Sequence, residues 1–238
     1  MKRASDIAGW YGKIPALGDF ASRRLPPGFI SAWDAWLQRG LAASRASLKE
    51  RWPDAYLHAP VWRFALFPGV CGDQAWIGVM MPGIDKVGRH FPLTIALALE
   101  PHPEIFAPLF TAQNWFDAIE QVALSSLNGD VLPDDLECQL AKHPFPPHSP
   151  SLDTHTAVRE LIHWWTNPLP PSLTLKLPSI GGALADAGIG LLASTGAGRS
   201  LWWCQTGGIV QLHAFAGLPP DHCFAALLGA VACDEKTL

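Results

Sequence analysis

With 238 residues, 49% of them hydrophobic and only 16% charged, the chain is far from the composition of a disordered protein and can bury a sizeable core. Seventeen Lys and Arg against 21 Asp and Glu leave a formal net charge of -4, and no basic run interrupts it. That excludes the clustered positive charge with which proteins neutralise nucleic-acid phosphates.

The N-terminal MKRASDIAGWYG carries two basic residues with no apolar h-region behind them, so no secretory signal is expected. Ile7 to Ile14, rich in aromatic and apolar residues, predicts a first strand stopped by Pro15. A loop, PALGDFASRRLPPG, follows. From Phe29 to Leu48 the residues Phe29, Trp33, Trp36, Leu37, Leu41 and Leu48 recur at helical spacing, and Pro26 and Pro27 stand where a missing N–H costs little. Gly40 weakens that helix without ending it. VWRFALF and AWIGVMM, joined by a Gly-Asp turn, predict a hairpin, and PLTIALALE predicts a strand covered on both faces.

From Glu104 to Leu127 the apolar spacing is again helical, with Asn128-Gly129 as its stop. The proline-rich segment 142–151 is a surface excursion in an otherwise single domain spanning 1–238. Beyond it, Asp153 is placed to cap a helix over THTAVRELIHWW, SLTLKL suggests a strand, and SLWWCQT with IVQLHAF suggests a Gly-Gly-linked hairpin. LPPDHCFAALLGAVA predicts a closing helix. Its apolar stretch is well short of the roughly 20 residues that cross a bilayer, so no direct membrane insertion is expected. Hairpins mixed with helices predict a three-layer αβα sandwich of the α/β class, a mixed sheet flanked by helices.

Five cysteines, an odd number without a C-x-x-C pair, predict reduced thiols and a cytoplasmic location. STGAGRS lacks the leading glycine and the lysine of a phosphate loop, and no G-x-S-x-G elbow is present. None of His143, His148, His155 and His163 falls in a metal-binding spacing, so neither a cofactor nor a metal is expected. Eleven tryptophans are many for this length, and most fit core positions.

The unexplained polar residues are Lys13, Asp19, Arg23 and Arg24 in the first loop, Arg63 inside WRFAL, and Asp85, Lys86, Arg89 and His90 in MPGIDKVGRHFPLT. An arginine between Trp62 and Phe64 needs a carboxylate or a route to water, and Asp19 or Asp85 is the expected partner. Two readings stay open: an ion-pair network that pins loops to the end of the sheet, and a polar patch for a partner. A rival from another class is a hydrolase or small-ligand sensor using Asp19, Asp85 and His90.

GWYGKIPALGDFASRRLP, FISAWDAWLQRGL, YLHAPVWRFALFPGVCG and IGVMMPGIDKVGRHFPLT, in that order, resemble the TagF (ImpM) family of type VI secretion system-associated proteins. GRSLWW and GLPPDHCFAALL resemble its weaker C-terminal part. The resemblance implies an αβα sandwich and a non-enzymatic, cytoplasmic, post-translational repressor of secretion-system assembly. It implies as partner the forkhead-associated scaffold protein Fha. Where the family shows Asp-Arg, this chain has Asp85-Lys86, which keeps the charge but not the two-pronged guanidinium.

Overall fold

The computed structural model describes residues 6–99, 112–146, 159–163, 187–188, 190–192, 195–206 and 208–229. In chain order the elements are β1 (Gly9–Gly12), β2 (Ala21–Arg23), α1 (Pro27–Leu48), α2 (Trp52–Leu57), β3 (Trp62–Leu66), β4 (Ala75–Met81), β5 (Leu93–Leu99), α3 (Gln113–Ser125), α4 (Pro133–Lys142), β6 (Arg199–Thr206), β7 (Ile209–Ala216) and α5 (Phe224–Leu227). The seven strands form one sheet in the order β2-β1-β5-β4-β3-β6-β7.

Every pairing in that sheet is antiparallel, which corrects the expected mixed sheet. The reason lies in the connections. β1 with β2, β3 with β4, β4 with β5 and β6 with β7 are chain neighbours that turn back on one another, which accounts for four of the six pairings, and the long-range pairs β1–β5 and β3–β6 are antiparallel as well.

Alternation along the strands divides the core in two. Trp62, Phe64 and Leu66 of β3, Trp76 and Met80 of β4, and Trp202 of β6 face α1 and α5. Ala65, Ile77, Val79, Leu93, Ile95 and Leu97 face α3 and α4 on the other side. The layers are therefore helix, sheet and helix, as expected for an αβα sandwich. All six apolar positions read as the buried face of α1 are buried.

Trp10, Trp33, Trp36, Trp62 and Trp202 are among the most deeply buried side chains, so packing accounts for these tryptophans. Cys71 and Cys204 are buried free thiols, and burial pushes the Cys71 pKa up to about 12. Cys138 is free but exposed, and Cys223 is disulfide-bonded, which corrects the expectation of uniformly reduced buried thiols.

One strand and two helices differ from the sequence reading in kind. β2 lies inside what reads as loop, while α2 and α4 have no sequence-predicted counterpart. α4 starts at Pro133, with the Asp135 carboxylate accepting the Leu132 N–H at 3.1 Å. The predicted SLTLKL strand, the Asp153 cap, the start of the 104–127 helix and residues 147–151 of the excursion lie outside the described residues. No helix among the described residues is long and apolar enough to cross a membrane.

Candidate functional site

β1 ends beside the start of β5, since Tyr11 pairs with Thr94, and β4 ends there too, since Met81 pairs with Leu93. The loop after β1 and the loop between β4 and β5 therefore leave the sheet at one end. They are tied together at backbone carbonyls: the Lys86 N–H donates to the Leu17 carbonyl at 2.8 Å, and the Arg89 guanidinium donates to the Gly18 carbonyl.

Asp85 organises the second loop. Its Oδ1 accepts the Val87 and Arg89 backbone N–H groups at 3.1 and 2.8 Å, while Oδ2 accepts Lys13 Nζ at 2.8 Å and Arg89 Nε at 2.7 Å. An Asp85 N–H to Arg89 carbonyl bond and an Ile84–His90 bridge close the turn. The Asp85 side chain is fully buried and Lys13 is 5% exposed, whereas the Arg89 side chain is 56% exposed. A buried charge survives only when paired and hydrogen-bonded, and here four donors meet one carboxylate. Burial acts to raise the Asp85 pKa. Hydrogen bonds from Lys13, the Arg89 backbone and side chain, and the Val87 backbone outweigh it and hold the carboxyl well below the ordinary range.

The other flank of this loop is held by aromatics. The Tyr56 hydroxyl donates to the Gly83 carbonyl and accepts the Gly83 N–H, both at 3.0 Å. A side chain at Gly83 has no room, because its Cβ would stand 2.4 Å from the Phe91 carbonyl oxygen. His90 meets Trp52 and Tyr56 edge-on at 5.3 and 5.2 Å. Burial, then the Arg45 charge, lower its pKa below 6.5, with Asp85 opposing.

Both groups make acid destabilising. The fold disfavours protonated His90, so the unfolded chain takes up that proton more readily, and stability begins to fall as pH drops through 6.5. The fold favours ionised Asp85, so its contribution is complete above an ordinary carboxylate pKa of about 4 and is lost below it. Thermal melts from about pH 8 to about pH 3 are expected to show Tm declining in these two stretches. The His90→Asn variant should flatten part of the first, with His213, also lowered by burial, retaining the rest. A Tm that rises on acidification contradicts this account.

Around this rigid base several side chains stand in solvent. Val87 is 69% and Phe20 46% exposed. Phe20 is held by stacking on Tyr11 at 6.0 Å, an edge contact with Phe91 at 4.7 Å, and the Lys13 ammonium 4.7 Å from its ring centre. Asp19 and Lys86 are exposed beside it, and the Asp19 carboxylate accepts the Phe20 N–H at 2.8 Å. The site thus combines a fixed aromatic, one aliphatic and charges of both signs.

The predicted site residues separate into three groups. Lys13, Asp85 and Arg89 form the network, with Asp19 and His90 on its margins. Arg23 is exposed on β2 and donates to the carbonyl of neighbouring Ser22. Arg63 is elsewhere, and its expected pairing with Asp19 or Asp85 is corrected. It has the same strand parity as Ala65, so it points to the α3 face, where it donates to Glu120 at 2.7 and 2.9 Å, Asp117 at 2.7 Å and Gln113 at 3.0 Å. Glu120→Ala is expected to cost about 1 kcal/mol, since Asp117 and Gln113 remain. Arg63→Met should cost more, about 1–3 kcal/mol, because it keeps the volume but leaves Glu120, Asp117 and Gln113 without their shared donor. Chemical denaturation of both variants checks the pair.

Sequence reasoning missed a second cluster, in which Trp10 Nε1 donates to Glu137 at 2.6 Å and Arg24 pairs with Glu137 while donating to the Ala8 carbonyl. Asp19 is exposed, the Asp85 oxygens accept four donors, and the His90 ring packs on aromatics. Among the described residues no group of three His, Cys, Asp or Glu side chains is placed to hold a metal ion.

Residues 9–143, which contain both loops, match the model of a family described as the TagF N-terminal domain, type VI secretion system-associated. Among solved structures, the chain is similar to the crystal structure of PA0076 from Pseudomonas aeruginosa PAO1, with 34% identity, 93% of each chain covered and a TM-score of 0.73. A comparison with curated proteins finds no match.

Proposed function

Because this chain belongs to the TagF family of type VI secretion system-associated proteins, we propose that it is a cytoplasmic, non-enzymatic accessory protein that represses assembly of the secretion machine by binding the scaffold protein Fha. The observation that carries this reading is the saturated Asp85. A carboxylate that holds two loops through four donors has no lone pair spare for proton transfer, but it fixes the side chains around it. Phe20, Val87, Lys86 and Asp19 are thereby presented with little ordering left to complete on docking, the condition under which an aromatic anchor contributes most. Binding there sequesters the scaffold from assembly.

The test uses residues outside the network, so that folding and binding separate. Asp19→Arg and the double substitution Lys86→Glu with Val87→Asp are expected to weaken binding to purified Fha in calorimetry by about tenfold or more while leaving Tm unchanged. In cells carrying the secretion system, the same variants should no longer suppress export when overproduced. Unchanged affinity in both variants refutes the patch.

A further inference from the structure

The two edges of the sheet are built differently. β2 is three residues long, ends in Arg23 and is followed by Arg24, and shortness with charge is an ordinary protection against strand addition. β7 is eight residues long, IVQLHAFA, with no charge and no proline. It exposes Ile209 (73%), Val210 (60%) and Leu212 (61%). Among the described residues its outer side has no strand partner.

Which backbone groups face outward follows from the ladder. The Phe67 N–H donates to the Arg199 carbonyl on the β3 side, and the Gly217 N–H donates to the Gly198 carbonyl on the β7 side. Hydrogen-bonded pairs alternate along an antiparallel ladder, so Ser200–Phe215, Trp202–His213 and Cys204–Gln211 take the inward groups of β7. The N–H and C=O groups of Val210, Leu212 and Ala214 are left pointing away from the sheet.

The geometry points to a second copy of this chain as the occupant, its β7 pairing antiparallel with this one about a two-fold axis at Leu212. Such a contact requires a self-complementary strip. The outward triplet meets that condition, since reversing it sets Val210 opposite Ala214 and Leu212 opposite its own copy. Each strand then satisfies the other's outward groups through about six hydrogen bonds. Because β7 carries no charge, the copies meet without repulsion, whereas a charged strand would be desolvated against this apolar strip. An edge about 27 Å long buries less than the ~800 Å² per partner of a standard interface, the size class of weak, transient contacts. The inference is independent of the Fha reading, because β7 and the Asp85 loops occupy different parts of the sheet.

Sedimentation velocity of the full chain between about 1 and 200 µM tests it. The wild type is expected to pass from monomer to dimer across that range. Leu212→Lys brings two ammonium groups together at the axis and should stay monomeric with an unchanged Tm, since Leu212 is exposed. In a Cys138→Ser background, Leu212→Cys treated with oxidised glutathione as the two-electron oxidant should form a covalent dimer, because directly paired Cα atoms stand about 5.5 Å apart, within disulfide reach. A wild type that is monomeric throughout, or a Leu212→Lys variant that dimerises like the wild type, overturns the proposal.

Discussion

Replacing Trp33 with alanine is expected to destabilise the protein by about 3–5 kcal/mol, the range for removing a large aromatic from a packed core. The side chain is 0% exposed and stands between the helix and the sheet. Its ring meets Phe29 at 5.4 Å, Trp36 at 4.8 Å, Phe64 at 4.9 Å and, nearly parallel, Trp202 at 5.8 Å. Its Nε1 donates to Thr94 Oγ1 at 2.9 Å, so the indole also ties α1 to β5. These neighbours are themselves locked by packing and cannot collapse into the space. Urea denaturation should therefore show a much lower midpoint with a similar slope, and the Tm should fall on the order of 10 °C. Trp33→Phe retains most of the apolar contact but leaves the buried Thr94 hydroxyl without its donor, so its cost should be about 1–2 kcal/mol. If Trp33→Ala costs no more than Trp33→Phe, α1 does not dock on the sheet through this ring.

The elements that were legible in the sequence are those whose burial pattern is local. α1 repeats its apolar residues along one face, and β3, β4 and β5 are apolar runs bounded by turns, so periodicity alone defines them. β2 was not legible, because Ala21–Arg23 is short, half polar and a strand only through its pairing with β1. The direction of the sheet was also beyond a local reading. Whether β5 lies parallel or antiparallel to β1 depends on a pairing between residues more than eighty positions apart, such as Trp10 with Ile95. α4 did carry a signal, a Pro-Asp-Asp start before Leu136 and Leu140, which are buried at helical spacing.

The candidate site divides along the same line. Asp85 and Arg89 are four residues apart in one turn, and the excess of charge between two apolar strands marks them. Lys13 joins them only through the fold, yet it was legible as a charge left over beside a strand end. Asp19 and Asp85 are the wrong partners for Arg63 because parity along β3 turns it to the other face of the sheet. Counting faces from Trp62 and Phe64, both on the α1 side, sends Arg63 to the opposite face, where Gln113, Asp117 and Glu120 recur at spacings of four and three on α3. That spacing was available in the sequence and identifies a polar stripe on an otherwise apolar helix. The Glu137 cluster had no such marker, since Trp10 and Arg24 reach it from separate strand ends.

Gly40 shows where a local rule gives the wrong sign. In an isolated helix, Gly→Ala is worth about 1 kcal/mol of added stability. In this protein Gly40→Ala is expected to be destabilising by about 2 kcal/mol. A Cβ there would stand 2.2 Å from Phe224 Cδ2 and 2.7 Å from its Cγ, so the clash is with the body of the ring and not with a movable tip. Phe224 is 1% exposed and lies against Trp36 at 5.4 Å, which blocks its withdrawal. The missing side chain is what lets α1 and α5 approach. Combining Gly40→Ala with Phe224→Leu should recover part of the loss, making the double variant more stable than the sum of its singles by about 1 kcal/mol or more. Denaturation of the three variants gives the coupling directly. A Gly40→Ala protein more stable than the wild type would show that the close contact between α1 and α5 is not made.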